Sequence, residues 1–206
     1  MDYLSIALSK GRLEEITFDK FQKMGLTFLD YSPKSRKLIF INEQYKIKVV
    51  LVKSGDVTTY VEQGACDVGI IGKDNLLENK PDVYEIMDLG FGKCKFAVAS
   101  LKERKPVENR VIRVATKYPH VTQDYFYKKG EGVEIIYLSG SVELAPIMGL
   151  SDVIVDIVET GTTIKENGLE VIEDICPISA RLIANRVSFK AKSSRVQKLM
   201  KGLQQK

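Results

Sequence analysis

Apolar residues along this chain gather into short runs that alternate with stretches of helical spacing. Residues 3–8 (YLSIAL) form the first run and predict a buried strand. After the turn SKG, Leu13, Ile16, Phe21 and Met24 recur at helical spacing over 12–24, and Gly25 is placed to stop that helix. Residues 37–41 (KLIFI) and 47–52 (IKVVLV) predict two strands around a polar turn. Residues 56–64 (DVTTYVEQG) predict a helix with Asp56 as N-cap and Gly64 at its end. A buried strand at 67–72 and a short helix, DNLLE, follow.

The second half repeats this style. Strands are predicted at 95–100, 111–116, 133–138, 152–158 and 169–175. Between them lie helices at 120–129 and at 141–148, the latter with Ser141 as cap, and an amphipathic helix at 193–205 closes the chain. Strand–helix alternation with nearly continuous apolar strands predicts an α/β fold with mostly parallel sheets. The segments CDVGIIGKDNLLEN and SDVIVDIVETGTTIKEN, with their return strands VYEI and LEVIEDI, share one plan. Each runs from a small residue and an aspartate through an apolar strand, a turn and a short helix ending in Glu-Asn. This echo predicts two similar lobes facing a ligand cleft. Such units are common, so a chance likeness is the competing reading.

Composition narrows the class. The 206 residues, 44% hydrophobic and 28% charged, suit one or two globular domains. No apolar run approaches the ~20 residues of a membrane helix, and MDYLSIALSKGR is not a signal sequence. The expectation is a cytoplasmic protein with no membrane partner. Net charge is +4, and its densest cluster, KAKSSRVQKLMKGLQQK, fits a terminal helix whose lysines complement the dipole. No zinc-finger or aromatic RNA-binding pattern accompanies it, so no nucleic acid is expected as partner. Cys66, Cys94 and Cys176 are odd in number and widely spaced, which excludes a disulfide framework or metal pair. His120 is the single histidine, so a histidine-rich metal site is excluded, and any Ser-His-Asp or Cys-His system would have to use it. It follows Pro119 in a loop-like stretch, and the expectation is a surface role and chemistry that needs no strong base.

The densest chemistry lies in VDIVETGTTIKENGL, residues 155–169. Thr163 and Glu166 have capping-box spacing, and Asn167-Gly168 reads as a helix stop. Those features leave Asp156, Glu159, Thr160, Gly161 and Thr162 unexplained. Gly161 would let the backbone approach an anion, and the amides of 160–163 lie near a helix N-terminus that favours phosphate. The acids suit vicinal ribose hydroxyls. A ribose 5-phosphate has both ends, and on the residues alone this reading stands beside that of a capped turn.

The strand–acid–acid–Thr-Gly-Thr plan resembles the phosphoribosyl pyrophosphate loop of phosphoribosyltransferases. Residues 140–169 resemble the signature of ATP phosphoribosyltransferase, the first enzyme of histidine biosynthesis. The likeness extends in order through ALSKGRL (7–13), SRKLIF (35–40), YVEQGACDVGIIGKDNLLE (60–78), CKFAVA (94–99) and VATKYPHVTQDYF (114–126). Ile164 stands where the family usually has Leu or Met. Lys53 and Thr58 stand where an arginine-x-x-Asp-Val-Pro pattern is expected, and a lysine cannot make arginine's bidentate contact.

The resemblance implies a two-lobed, periplasmic-binding-protein-like fold with a ligand cleft between lobes. One lobe would span 1–90 plus 178–206 on the nucleotide side, the other 91–177 with the phosphoribosyl pyrophosphate loop. It implies transfer of the 5-phosphoribosyl group to N1 of ATP, releasing pyrophosphate, with Mg2+ carried mainly by substrate and no dedicated metal site. Arg12 and Arg36 would be catalytic, neutralising the pyrophosphate. Asp156, Glu159, Thr160, Gly161, Thr162 and Thr163 would hold the ribose 5-phosphate. Lys10, Gly11, Lys53, Lys117 and Glu143 would contact ATP or pyrophosphate. The length resembles the short form of the family, which works as a homodimer within a hetero-oligomer containing a histidyl-tRNA-synthetase-like regulatory subunit. The alternative is a non-catalytic small-ligand-binding module of the same fold.

Overall fold

A computed structural model describes residues 2–103 and 111–204; position 205, included in the predicted final helix, lies outside them. The chain divides into two compact units, each with its own sheet. Unit one comprises residues up to Leu76, Lys80–Gly92 and Ser179 onward, and unit two comprises Leu77–Asn79 and Lys93–Ile178.

Unit one opens with β1 (Leu4–Ser9), α1 (Arg12–Lys23), β2 (Ile39–Asn42) and β3 (Ile47–Val52). A 3-10 turn at Ser54–Asp56 leads into α2 (Val57–Glu62), then β4 (Val68–Gly72), α3 (Lys73–Asn79) and β5 (Tyr84–Asp88). The predicted helix at 56–64 is therefore shorter; Asp56 is at its N-cap, but its side chain makes no capping bond. Unit two contains β6 (Cys94–Leu101), β7 (Ile112–Thr116), α4 (Pro119–Lys128), β8 (Val133–Tyr137), α5 (Leu144–Ile147), β9 (Val153–Val158), α6 (Thr162–Glu166) and β10 (Leu169–Ile178). The chain then completes unit one with β11 (Ala180–Ala184), α7 (Arg186–Ala191) and α8 (Ser193–Gln204).

Ser141 is not a helix cap. Its φ is +50° and its carbonyl accepts the amide of Leu144, so the helix starts at Leu144 with Glu143 as N-cap. Neither β11 nor α7 has a clear periodic signature. Arg181 interrupts the β11 run, and its guanidinium pairs across the sheet with Glu85 and Asp88. Helix α7 starts where the Asn185 side chain accepts the amides of Val187 and Ser188.

Strand order in unit one is β2-β3-β1-β4-β11-β5, and in unit two β10-β6-β9-β7-β8. Directions make these one plan. In unit one β3, β1 and β4 run parallel, followed by antiparallel β11 and β5. In unit two β8, β7 and β9 run parallel, followed by antiparallel β6 and β10. The sequence echo thus falls on equivalent pieces, β4–α3–β5 and β9–α6–β10. Only β2 is extra.

Each sheet is covered on two faces, which explains its apolar parallel strands. In unit one Phe18 and Phe21 of α1 and Val196 and Leu199 of α8 pack with Ile6, Leu8 and Phe40. On the other face, Val57 and Val61 of α2 pack with Ala7, Ile71 and Ile183. Gly69 permits that contact, because a Cβ there would meet Val61 at 2.8 Å and Val57 at 2.9 Å. In unit two Phe96, Val114 and Val155 pack with Val121 and Phe126 of α4, while Ala97, Ala115 and Ile154 receive Ala145 and Ile164.

Candidate active site

Parallel strands end together, and loops leaving their carboxyl ends gather at one sheet edge, the usual ligand side of an α/β sheet. In unit two this edge carries the ends of β7, β8 and β9. Buried Thr116 fixes it: its Oγ1 donates to the carbonyl of Val155 at 2.7 Å and accepts the amide of Tyr118 at 2.9 Å. The loop after β9 therefore has a fixed origin beside the loop after β7, which carries Lys117.

The loop from Glu159 to Thr163 turns at Gly161, whose φ of +76° belongs to the left-handed region. A Cβ there would meet nothing nearer than Val158 at 3.7 Å, so conformation, not space, calls for glycine. Gly161 is also the N-cap of α6, and its carbonyl accepts the amide of Lys165. The predicted Thr163–Glu166 capping box is thus absent. The positive φ at Gly161 starts the helix at Thr162, one residue before Thr163, so Thr163 lies within it. Asn167 and Gly168 end the helix: Asn167 returns its amide and its Nδ2 to the Thr163 carbonyl, and Gly168 has φ +74°.

The loop lines a cavity of about 310 Å³ whose walls include Glu143, Glu159, Thr160, Thr162, Thr163 and Cys94. That volume suits a sugar phosphate. The structure brings together there Glu143 and the whole of Glu159 to Thr163. Asp156, half-buried in β9 opposite Ala97, and exposed Lys117 lie outside this lining. A second cavity of about 450 Å³ on the same loop adds Lys95, Lys102 and Lys165, which the sequence reading did not single out. Lys165 carried a signal, being four residues after Gly161 on a one-turn helix; Lys95 and Lys102 arrive on and just after β6 and had none. Lys95 is also paired with Asp174 at 2.6 Å.

In unit one the carboxyl edge is basic. The amide of Lys10 bonds the carbonyl of Val52 at 2.9 Å, which sets Lys10 beside Lys53 where β1 and β3 end together. Gly11 has φ +95°, and its amide is held by the Glu14 carboxylate at 3.1 Å, so α1 begins at Arg12. Strand β2 is antiparallel to β3, so the segment before it lies at the same edge; that segment carries Arg36. Lys10, Gly11, Arg12, Arg36 and Lys53 are all exposed. At the end of β4 the same edge carries Lys73, which is bonded to Glu85.

A family model for ATP phosphoribosyltransferase matches residues 53–205. An ATP phosphoribosyltransferase of Clostridioides difficile is 59% identical over 98% of this chain and 97% of its own length.

The chain belongs to the ATP phosphoribosyltransferase family.

That membership makes it a phosphoribosyltransferase acting at the first step of histidine biosynthesis. Among solved structures, the ATP phosphoribosyltransferase HisG:HisZ complex from Thermotoga maritima matches at TM-score 0.84 and 39% identity, over 98% of this chain and 96% of that one. A periplasmic aliphatic sulphonate binding protein from Escherichia coli matches at TM-score 0.64 and 12% identity, over 98% and 72%. The latter likeness concerns fold alone and places this chain among two-lobed, periplasmic-binding-protein-like α/β proteins. No helix among the described residues is long and apolar enough to cross a membrane.

Proposed function

We propose that the loop from Glu159 to Thr163, with Asp156, binds the ribose 5-phosphate of phosphoribosyl pyrophosphate, and that Arg12 and Arg36 neutralise its pyrophosphate. The observation that carries this reading is the left-handed Gly161 between two threonines whose hydroxyls face one cavity with Glu159. The phosphate takes the amides and hydroxyls of 160–163. The carboxylates of Asp156 and Glu159 accept hydrogen bonds from the ribose hydroxyls.

Adenine N1 already has a lone pair, so attack at ribose C1 needs no general base. The barrier is cleavage of the C1–oxygen bond, with negative charge growing on the departing pyrophosphate. Fixed cations on that group are the main lever. Arg12 is preorganised by the Gly11–Glu14 contact, which sets the first turn of α1. Lys10, Lys53 and Lys117 contact the phosphates of ATP or the pyrophosphate, and Glu143 borders the sugar. Lysine at position 53 acts as a point charge and cannot fork as an arginine does.

Magnesium suits the charged donors at the loop cavity, which are the carboxylates Glu143 and Glu159. Among the described residues no cluster of three or more acidic, histidine or cysteine side chains is built to cage a metal. Bound with its substrate, the ion would neutralise charge on the diphosphate, and Glu143 and Glu159 are the residues that would help to hold it. We further assign the chain to the cytoplasm and to a complex with a regulatory subunit of the kind paired with HisG in the Thermotoga maritima structure.

One assay tests the reading. The protein is mixed with that subunit, ATP, phosphoribosyl pyrophosphate and magnesium, and absorbance of an N1-alkylated adenine is followed. Product that requires all of these supports it. Undiminished product from a Gly161→Ala variant and from Arg12→Ala would overturn the roles given to the loop and to the arginine.

A further inference from the structure

Unit one holds a further cavity, of about 520 Å³, at the end of its sheet away from the basic edge. Leu4 and Ile47 line it, and they are the first pair of the parallel β1–β3 register. Lys10 and Lys53 follow the last pair, Ser9 and Val52, roughly 17 Å further along the strands. The cavity is therefore separate from the residues of unit one assigned above to substrate. Its volume lies within the range of small-ligand sites, about 300–1,000 Å³.

The floor is apolar and one wall is cationic. Leu4, Leu26, Ile47 and Leu199 are buried and belong to the core of unit one. On α8, Arg195, Lys198 and Gly202 follow at helical spacing along the side that lines the cavity, with Lys201 beside them. Arg195 stands in the first turn of α8, where the helix dipole opposes a cation. It is held there by the carbonyls of Tyr45 at 3.1 Å and Lys46 at 2.7 Å. The Lys198 ammonium lies 5.6 Å from the centre of the Tyr45 ring. Among the described residues none of these three cations has a carboxylate partner. The lining contains no acid, and the acid nearest to Tyr45 in sequence, Glu43, is bonded to Tyr3 and Lys46.

Glycine inside a helix is unfavourable and calls for a reason. A Cβ at Gly202 would meet Met24 Cε at 2.0 Å and its Sδ at 3.1 Å, so the glycine admits the Met24 side chain onto α8. Met24 follows the end of α1 and lines the cavity, and an unbranched thioether adapts to what lies against it. The lining has no serine, threonine or glycine loop of the kind that cradles a phosphate. Gln44 and Tyr45 are its only uncharged polar side chains, so a sugar or a base would leave hydrogen bonds unmet. An apolar floor with ammonium groups at the rim suits a single anionic head on an apolar body.

We infer that this cavity binds an amphipathic carboxylate, its acyl chain on Leu4, Leu26, Ile47 and Met24 and its head between Lys198 and Lys201. The site is additional to the substrate sites and does not depend on the roles given to Arg12 and Arg36.

Decanoate, kept below its micelle concentration, is titrated into the full-length chain by calorimetry. Saturable binding is expected with a Kd on the order of 0.1 mM, the range for a ligand of this size. The chain has no tryptophan, so Tyr45→Trp places a single reporter at the cavity. Its emission should shift to the blue over the same concentrations. Lys198→Glu/Lys201→Glu changes two exposed side chains and should raise the Kd about tenfold or more, with circular dichroism unchanged. Decyltrimethylammonium, with the same chain and the opposite charge, should not bind. Saturating ATP or phosphoribosyl pyrophosphate should leave the decanoate Kd as it was. No saturable binding to the wild type, an equal Kd for the double variant, equal affinity for decyltrimethylammonium, or displacement by either substrate would each overturn the assignment. So would co-sedimentation with phosphatidylglycerol vesicles without decanoate binding, which would give the basic side of α8 to a membrane surface.

Discussion

Thr160 and Thr162 hold their Oγ1 atoms 3.0 Å apart across Gly161, and the amide of Thr162 points back to the Thr160 hydroxyl at 3.4 Å. Two hydroxyls on either side of a left-handed glycine form a small polar cup at the mouth of α6. The chain holds this geometry by itself, because every bond in it is local. The strand behind it is equally fixed, through Thr116 and Val155.

Replacing Gly161 by alanine separates conformation from space. The site has room for a methyl group, but an alanine at φ +76° costs roughly 1–2 kcal/mol. Thermal unfolding of Gly161→Ala should show a lowered Tm, and KM for phosphoribosyl pyrophosphate should rise. Gly161→Asn, which enters the left-handed region more readily, should recover part of the stability. Equal losses in both variants would assign the cost to crowding.

Removing the hydroxyls tests the phosphate cup. Thr162→Val with Thr163→Val should weaken phosphoribosyl pyrophosphate binding about 10- to 100-fold, the range for losing hydrogen bonds to a charged group. Calorimetric titration is the direct measure. An unchanged Kd for that substrate, alongside a changed KM for ATP, would move the cup to the nucleotide.

Arg12 and Arg36 are expected to act on the leaving group. Arg12→Ala or Arg36→Ala should reduce turnover about 100-fold or more, as removal of a charge-stabilising group does. Arg12→Lys should recover only part of it, since the fork geometry is lost. Near-normal kcat in both alanine variants, measured at saturating substrates, would remove them from the mechanism.

Asp67 supplies a stability prediction with a pH signature. Burial pushes its carboxyl up, but hydrogen bonds from Lys192, Ser5 and Ser188 outweigh burial and hold it below the usual aspartate range. Its Oδ2 receives the Lys192 ammonium at 2.8 Å and the Ser5 amide at 2.8 Å, and its Oδ1 receives Ser188 at 2.7 Å. A depressed folded-state value means that this contribution is complete above the ordinary value of about 3.9 and is lost as pH falls through the folded value. Asp67→Asn should cost about 2–3 kcal/mol at neutral pH by leaving Lys192 without its charged partner. Urea titrations from pH 7 down to pH 3 should show the wild type and the variant converging.

The parallel strands were legible because both of their faces are covered, which makes them apolar throughout, as in IKVVLV and DVIVDIV. The loop from Glu159 to Thr163 stood out in the sequence as a candidate site because acids and threonines around one glycine exceed what a turn requires, and in the structure it lines a cavity. The start of α6 was not, since a capping-box spacing is the same whether Thr163 or Gly161 begins the helix; only the sign of φ at Gly161 decides. β11 was obscured by Arg181, whose partners Glu85 and Asp88 lie more than 90 residues away in sequence. For β2 the apolar run KLIFI at 37–41 predicted a strand, but nothing local tells an edge strand from a central one.

One feature of the chain's path bears on how such a protein can be built and rebuilt. The carbonyl of Phe91, near the chain's departure from unit one, accepts the amide of Ala180, just after its return, at 2.9 Å. Everything between, from Lys93 to Ile178, belongs to unit two. That stretch is an insertion whose two ends are already neighbours, and it repeats the strand plan of its host. A short linker from Phe91 to Ala180 would excise it without stretching the host sheet. A gene fragment for the inserted segment could likewise be exchanged between relatives as a cassette, with the loop from Glu159 to Thr163 travelling intact and the basic edge of Lys10, Arg12 and Arg36 staying behind.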